Sequence, residues 1–311
     1  MRLRPAYALI AIFMAFSILP GPALAQFREA FTAYAKGDYV TAFREALKAA
    51  ENGDLRAQTM LGSLYLSGRG VEKNLERARS WFQKAADKGH REAQFELALL
   101  LMAKKDGAID MDQVRLNFFR AARQGHVRAQ YNMAMLYTGV QGLDPDWDKA
   151  AEWFKKAAEQ GNALAQYSLG VLYAEGQGVE KNPIESAKWI GKAAIQGNVD
   201  AAVDYGFLSF KGEGLEKDEK VGAKWLLFAA NKGNVVAQNR MARLYHKGRG
   251  VERDFIEAAK WNILARARGL TNTELDELTA ALSEGERREA QRRAKLWEKQ
   301  YGPSTKSNLS Q

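Results

Sequence analysis

The sequence contains no cysteine. That excludes a thiol nucleophile, a thiolate metal site, a disulfide staple and a lipid anchor carried on cysteine. Histidine is nearly as scarce, with His90, His126 and His246 the whole supply. No HExxH zinc motif occurs, so neither a metal nor any other cofactor is expected. The chain has no arginine-rich tract and no nucleic-acid motif, and nucleic acid is not an expected partner. Beyond the first residues no segment is apolar over the about 20 positions that a membrane helix needs. The net charge of +9 is mild for 311 residues. It favours acidic partners or membrane surfaces only weakly.

The N-terminus is of a different kind. Arg2 and Arg4 precede an apolar run from Ala6 to Leu19, Pro20-Gly21-Pro22 breaks the run, and Ala23-Leu24-Ala25 puts small residues where a signal peptidase reads. This pattern predicts a secretory signal over residues 1–25, cleaved between Ala25 and Gln26. The mature chain is then expected in the periplasm or outside the cell, with no stable membrane insertion. An uncleaved anchor is the alternative.

What the sequence has in abundance is repetition. GQGVEKN, from Gly176 to Asn182, has the look of a phosphate-cradling loop, but GRGVEKN recurs from Gly68, GEGLEKD from Gly212 and GRGVERD from Gly248. A catalytic loop is needed once, whereas a loop on a fixed period belongs to a scaffold. Ala57, Ala93, Ala129, Ala165, Ala201 and Ala237 stand 36 residues apart, and Gln58, Gln94, Gln130, Gln166 and Gln238 follow five of them. Each unit has leucine seven residues after its alanine (Leu64, Leu100, Leu136, Leu172, Leu208, Leu244) and closes on glycine (Gly89, Gly125, Gly161, Gly197, Gly233, Gly269).

Each unit reads as two helices. Ala57, Leu61, Leu64 and Tyr65 recur at helical spacing, and Gly68 and Gly70 then break the helix, since glycine reaches positive φ without steric cost. A second helix over about Asn74 to Lys88 has Ala78, Trp81 and Ala85 as its expected buried stripe, with Gly89 as its C-terminal cap. Val71, Val179, Leu215 and Val251 are expected to tuck under the turns. The unit from Ala93 has Lys104 and Asp106 in place of the turn glycines and Asn117 in place of the tryptophan. Phe118 and Phe119 are expected to supply the missing bulk, in the least regular joint of the stack. Trp147, at the position of Leu75, Met111 and Phe255, is expected to pack in the core. His90 and His126 fall where Asn162, Asn198 and Asn234 stand, and read as turn residues.

The pattern A-Q-x-x-L-G-x-x-Y-x-x-G-x-G-V followed by A-x-x-W-x-x-A-A-x-x-G resembles the Sel1-like repeat, a relative of the tetratricopeptide repeat. The resemblance implies an all-α fold, a right-handed superhelical solenoid of helix–turn–helix repeats, and a role in gathering protein partners. Residues 54–270 hold six repeats, and 26–53 form a degenerate first one with its turn reduced to Gly37-Asp38. Residues 271–301 are expected to form two capping helices. Leu275, Leu278 and Leu282 would lie on one, Ala290, Ala294 and Trp297 on the other, with capping boxes at Thr271/Glu274 and Ser283/Glu286. Residues 302–311 are expected to be disordered, and the chain to be a monomer. Some proteins of this kind have been described as β-lactamase-like, but no serine here begins an S-x-x-K motif. The acidic residues recur at repeat positions such as Glu72, Glu180 and Glu252, so an enzyme is not expected.

Positions two, six and nine after each leading alanine lie opposite the core stripe of the first helix. In the middle units they are apolar: Phe95, Leu99 and Met102; Tyr131, Met135 and Thr138; Tyr167, Val171 and Ala174; Val203, Phe207 and Phe210. In the last unit they become Asn239, Arg243 and His246, with Arg240 alongside. The tetratricopeptide resemblance implies that such positions line a concave groove for a peptide. The binding set expected is Phe95, Tyr131, Met135, Tyr167, Val171, Phe207 and Phe210, with Arg240 and Arg243 at a basic end. The competing reading is that these side chains only pack neighbouring first helices together. Two functions therefore stand: a non-enzymatic periplasmic scaffold or regulator for a protein or peptide of the cell envelope, or an enzyme or binder acting on peptidoglycan or β-lactam-like ligands. Mass spectrometry of the exported protein should give Gln26 as its first residue; a full-length, membrane-retained chain would overturn the signal reading.

Overall fold

The computed structural model describes residues 22–103, 109–140 and 144–302. Most of the expected signal segment (residues 1–21), the irregular turn at 104–108 with its Lys104 and Asp106, and the tail 303–311 lie outside the described residues. The described residues contain sixteen helices and no strand. They are α1 Pro22–Ala35, α2 Tyr39–Glu51, α3 Leu55–Ser67, α4 Leu75–Asp87, α5 Arg91–Met102, α6 Met111–Arg123, α7 Val127–Tyr137, α8 Trp147–Glu159, α9 Ala163–Glu175, α10 Pro183–Ile195, α11 Val199–Lys211, α12 Glu219–Asn231, α13 Val235–Lys247, α14 Phe255–Ala267, α15 Thr273–Ala281 and α16 Glu284–Tyr301. The chain divides into two compact units, Met1–Asn117 and Phe118–Gln311, with the boundary inside α6. Odd-numbered helices up to α13 are the first helices of their pairs; even-numbered ones up to α14 are the second.

The recurring residues each satisfy a backbone demand. The first four N–H groups of a helix have no internal acceptor. Asn162, Asn198 and Asn234 cap first helices by accepting the N–H of Ala165, Ala201 and Ala237 at 2.8, 2.8 and 2.9 Å. His126 does the same through Nδ1 for Ala129 at 3.1 Å, so its turn position is a helix cap. His90 instead meets Thr59 Oγ1 at 2.8 Å. That hydroxyl gives its own hydrogen to Leu55 at 2.7 Å, so His90 Nδ1 is the donor.

The closing glycines sit at positive φ, 88° at Gly161. There the next N–H reaches back, Asn162 N donating to Ala157 O at 3.1 Å, the six-to-one bond of a Schellman cap. The repeated glutamines bind the end of the preceding pair. Gln166 Nε2 donates to Ala158 O at 3.1 Å and Gln238 Nε2 to Ala230 O at 3.2 Å, both inside the protein. Each thereby adds a second donor to a C-terminal helix carbonyl that also accepts from the closing glycine, Gly161 N and Gly233 N, at 3.0 Å.

GQGVEKN is the turn between α9 and α10. Gly176 caps α9 in the left-handed region (φ 76°), donating its N–H to Leu172 O, and Asn182 caps α10 by accepting from Ile184 and Glu185 N at 3.1 Å. Asn182 N also donates to Tyr173 O at 2.9 Å, which closes the turn. Gly178 has φ 65°, and a Cβ there would overlap the carbonyl of Trp147, at the start of the preceding pair's second helix. Gly214 meets Pro183, and Gly250 meets Glu219, in the same way. The second glycine is thus a backbone-to-backbone contact between successive repeats. Val179 and its equivalents are half-buried beneath these turns.

Three expectations about packing need correction. Phe82, not Trp81, is the fully buried large side chain of α4; it fills the gap left by Gly62, and Trp81 is half-buried with the Lys84 ammonium 4.2 Å over its ring. In α6, Phe118 takes the place of Phe82 and is enclosed, whereas Phe119 is exposed and meets Trp153 edge-on at 6.2 Å. Trp147 is half-buried, and Leu75 and Phe255 at its position are 49% and 46% exposed. The carbonyls of Tyr39, Trp147, Pro183 and Glu219, each the first residue of a second helix, lie against the second glycine of the following turn.

In the second unit the core runs on into the terminal helices. Trp297 of α16 packs on Trp261 of α14 with ring centroids 6.0 Å apart and donates Nε1–H to Asn231 Oδ1 at 2.9 Å. Arg293 ties α16 to Asp254 and Glu257 at 3.3 and 3.2 Å. Ser283 and Glu286 form the expected capping box, but α15 is capped by Asn272, which accepts from Leu275 N at 3.1 Å, rather than by Thr271. Any side chain at Gly161 is strained by φ alone, because a Cβ there has open space. Gly161→Ala should cost about 1–2 kcal/mol, the usual cost of left-handed backbone in a residue with Cβ. Gly178→Ala should cost clearly more in urea unfolding, because it adds the collision with Trp147. Equal losses would show that the stack yields freely at that contact.

Candidate functional site

The predicted binding positions do not behave alike. Phe95, in the first unit, is only 1% exposed and belongs to the core, so it cannot line an open face. Phe210 is half-buried. Its ring lies where a Cβ on Gly222 of its own second helix would be, with the Arg249 guanidinium 5.6 Å above it. The other units carry Ala78, Val114, Ala150, Ser186 or Ala258 at the position of Gly222. The missing side chain opens the space that the phenylalanine fills.

The remaining residues lie on α7, α9, α11 and α13 of the second unit. Two residues after the leading alanine, the side chains sit in seams. Val203 and Asn239 are 7% and 8% exposed, and Tyr131 and Tyr167 are half-buried. Tyr131 packs on Phe154 with ring centroids 5.7 Å apart, and burial raises its pKa. Tyr167 reaches the next first helix, donating its hydroxyl hydrogen to Asp204 Oδ2 at 2.8 Å. At this position the packing alternative describes what the side chains do.

Six residues after the alanine, Met135, Val171 and Phe207 keep part of their surface in solvent, and Arg243 follows them on α13. Arg240 stacks its guanidinium 4.8 Å from the centre of the Phe207 ring. Burial and the neighbouring Arg243 charge both act against its own charge. The face therefore has three half-open apolar side chains on consecutive first helices, then two arginines.

Asp204 was not legible as part of this face, because it stands three residues after Ala201, off the expected stripe. Burial raises its pKa, and the hydrogen bond from Tyr167 opposes that rise. Burial first, and then the Asp204 charge, also raise the pKa of Tyr167. A phenol held in its protonated form is a poor nucleophile, so the pair ties two repeats together and does not activate an attacking group. Among the described residues no group of three or more His, Asp or Glu side chains could hold a metal ion. A small cleft lined by His246, Phe255, Leu275, Leu278 and Thr279 is largely apolar. Its threonine hydroxyl is spent on Leu275 O at 2.7 Å.

In the second unit, capped helix pairs on one period, with Gly178, Gly214 and Gly250 and the side chains of Gln166 and Gln238 set against the preceding pair, build an all-α solenoid of the kind that presents helix faces to other proteins. The family described as Sel1 repeat matches residues 55–90, 127–162, 163–198, 199–234 and 235–270. These windows cover more than half of the sequence, and the chain belongs to the Sel1 repeat family. The interval 91–126, which holds the irregular joint, falls between the matched windows. Among solved structures, the chain is similar to a Sel1 repeat protein from Oxalobacter formigenes, with 26% identity, 79% of this chain and 99% of that one covered, and a TM-score of 0.66. It is also similar to a protective antigen of uropathogenic Escherichia coli with an SLR fold, with 29% identity, 91% and 70% covered, and a TM-score of 0.59. No curated protein matches. Sel1 repeat proteins are generally non-catalytic scaffolds for protein interactions.

The raised pKa of Asp204 has a consequence for stability. The folded state favours its protonated form more than the unfolded chain does, so at neutral pH the charge is a burden on folding. That burden lifts as pH falls through the folded pKa toward the unfolded value of about 3.9. Asp204→Asn, which keeps an acceptor for Tyr167, should melt no lower than wild type at pH 7, with any advantage shrinking toward pH 4. A lower melting temperature at pH 7 would show that the carboxylate itself holds the joint.

Proposed function

We propose that this chain is a non-enzymatic scaffold of the cell envelope, exported after loss of residues 1–25, which holds an extended or helical peptide of a protein partner against the first-helix face of α7, α9, α11 and α13. The observation that carries this reading is the half-open apolar series Met135, Val171 and Phe207. These side chains recur at one position of three consecutive first helices, each half-buried. Covering such a side chain is worth about 1–3 kcal/mol, so three in a row give a partner a usable foothold. Family membership supports the protein-binding class, and the Ala23-Leu24-Ala25 motif supports the location. No helix among the described residues is long and apolar enough to cross a membrane.

A cell-wall ligand processed or held here would need convergent acid and hydroxyl groups on this face. The pair found there, Tyr167 and Asp204, is mutually satisfied, and no observation favours that reading further.

A photo-crosslinking residue placed at Met135 or Val171 in the exported protein should trap a partner in the envelope, whereas one at the exposed Lys155 of α8 should not. Met135→Ser, Val171→Ser and Phe207→Ser together should abolish capture with the helical signal retained. Crosslinking from Lys155 but not from Val171 would move the binding face to the second helices.

A further inference from the structure

We propose that α15 is a strap that lifts off the end of the second unit while α16 stays docked, and so opens and closes the side of α13 and α14 that it covers. The proposal goes beyond the peptide-binding reading and does not depend on it. One position of the second helices carries it. Phe154, Ile190 and Leu226 stand 36 residues apart on α8, α10 and α12, are at most 3% exposed and fill the core. The next residue of that series is Asn262, which is as buried as they are, at 2%. An amide in an apolar place costs stability unless its groups find partners. They find them only in part, and from α15. Asn262 Nδ2 donates to Asp276 Oδ1 at 2.9 Å and to Thr279 Oγ1 at 3.3 Å, whereas Asn262 Oδ1 is buried with no donor. Apolar packing thus gives way at this seam to a polar latch.

The rest of the last repeat agrees. Asn239 Nδ2 and Arg243 Nε of α13 are buried without an acceptor, at positions where α11 has Val203 and Phe207. Outside residues 235–270, such orphaned atoms among the described residues are limited to Gln58 Oε1 and Ser186 Oγ. Poor satisfaction therefore concentrates in the repeat that α15 closes. The helix itself is lightly held. Nine residues are too few to keep a helix without packing, and Leu275 is the one side chain of α15 that is fully buried. Its ion pairs are Glu274 with Lys247 at 3.9 Å and Asp276 with Arg266 at 3.4 Å, and both cations are more than half exposed. Pairs of that kind add little. Beneath α15, the cleft between His246, Phe255, Leu275 and Leu278 interrupts the close packing found elsewhere in the stack.

The final helix is anchored separately. Ala290, Ala294 and Trp297 of α16 are buried, and Trp297 and Arg293 reach α12 and α14 through the contacts described above. Arg287 of α16 donates to Ala280 O at 2.7 Å. That bond keeps the C-terminal end of α15 beside α16 and leaves the Asn272 end as the one that lifts. For α15 to leave, the Asn262 bonds, two exposed ion pairs and one buried leucine must give way, while the α14–α16 contacts persist. Such a step is local opening rather than unfolding. It uncovers Asn262 and the His246 side of α13, so the strap sets whether the last first helix is covered or open.

The lack of any native cysteine makes the test direct. Ala259 lines the cleft under α15, Ala223 stands one repeat earlier on α12, and both are 2% exposed. In native buffer, Ala259→Cys should react with a small methanethiosulfonate reagent at least about tenfold faster than Ala223→Cys, because only the first lies beneath an element that opens locally. Adding Asp276→Ala, which takes away the acceptor of Asn262 and the partner of Arg266, should speed the Ala259→Cys reaction further and leave that of Ala223→Cys unchanged. Hydrogen exchange of the wild-type protein gives a reading without substitutions: amides of α15 should exchange at least about tenfold faster than those of α14 and α16. Equal labelling of the two cysteine variants, or equal acceleration of both by Asp276→Ala, would mean that α15 leaves only when the whole unit unfolds, and overturns the proposal. Amides of α15 that exchange in step with those of α14 and α16 overturn it as well.

Discussion

At Gly178, Gly214 and Gly250 a Cβ would occupy the place of a backbone carbonyl from the preceding repeat. That clearance sets how closely successive helix pairs stack in the second unit, and much of the packing follows from it. The backbones approach closely, so the positions facing them must be small. The leading alanines, all fully buried, and Gly170 and Gly206, each covered by a large side chain of its own second helix, meet that demand. Large side chains such as Phe154, Ile190 and Leu226 fill the volume that remains, as close packing requires. A longer or shorter repeat would move the glycine away from the carbonyl.

The polar residues of the repeat answer a second constraint. Helix ends inside a protein expose backbone groups that need partners, and most of the recurring polar positions meet one: Asn162, Asn198, Asn234 and His126 at first-helix starts, and the glutamines at second-helix ends. The glutamine chain goes further, Gln160 donating to Gln130 Oε1 at 2.7 Å and Gln196 to Gln166 Oε1 at 2.6 Å. Where Lys88 and Arg268 stand instead of such a donor, Gln58 and Gln238 Oε1 are left without a partner. The binding face arises from what these demands leave over. The core takes one side of each first helix, its seams take another, and the apolar side chains still open to solvent lie between.

Periodicity by itself determined the helix pairs, the turns, the caps and the class of fold, because each depends on residues within one or two turns of chain. Ala-Gln spacing, GxG and the closing glycine state local rules that hold wherever the chain goes. Which of two adjacent aromatic residues is buried did not follow from spacing: Trp81 and Phe82 differ by 100° around a helix, and the gap over Gly62 decided between them. The same is true of Trp147, which the tertiary packing leaves half-buried.

The candidate face was half legible. The columns containing Met135, Val171, Phe207 and Arg243 follow from a 36-residue period read against a 3.6-residue turn. Their exposure does not, since exposure is set by the neighbouring helix. Phe95 went into the core, Phe210 into the space beside Gly222, and Tyr167 to Asp204, each through a contact between segments that the period alone does not bring together. The sequence determined which residues share a line along the stacked helices; the tertiary structure decided which of them remain free to bind, because burial is a property of the partner surface across the seam.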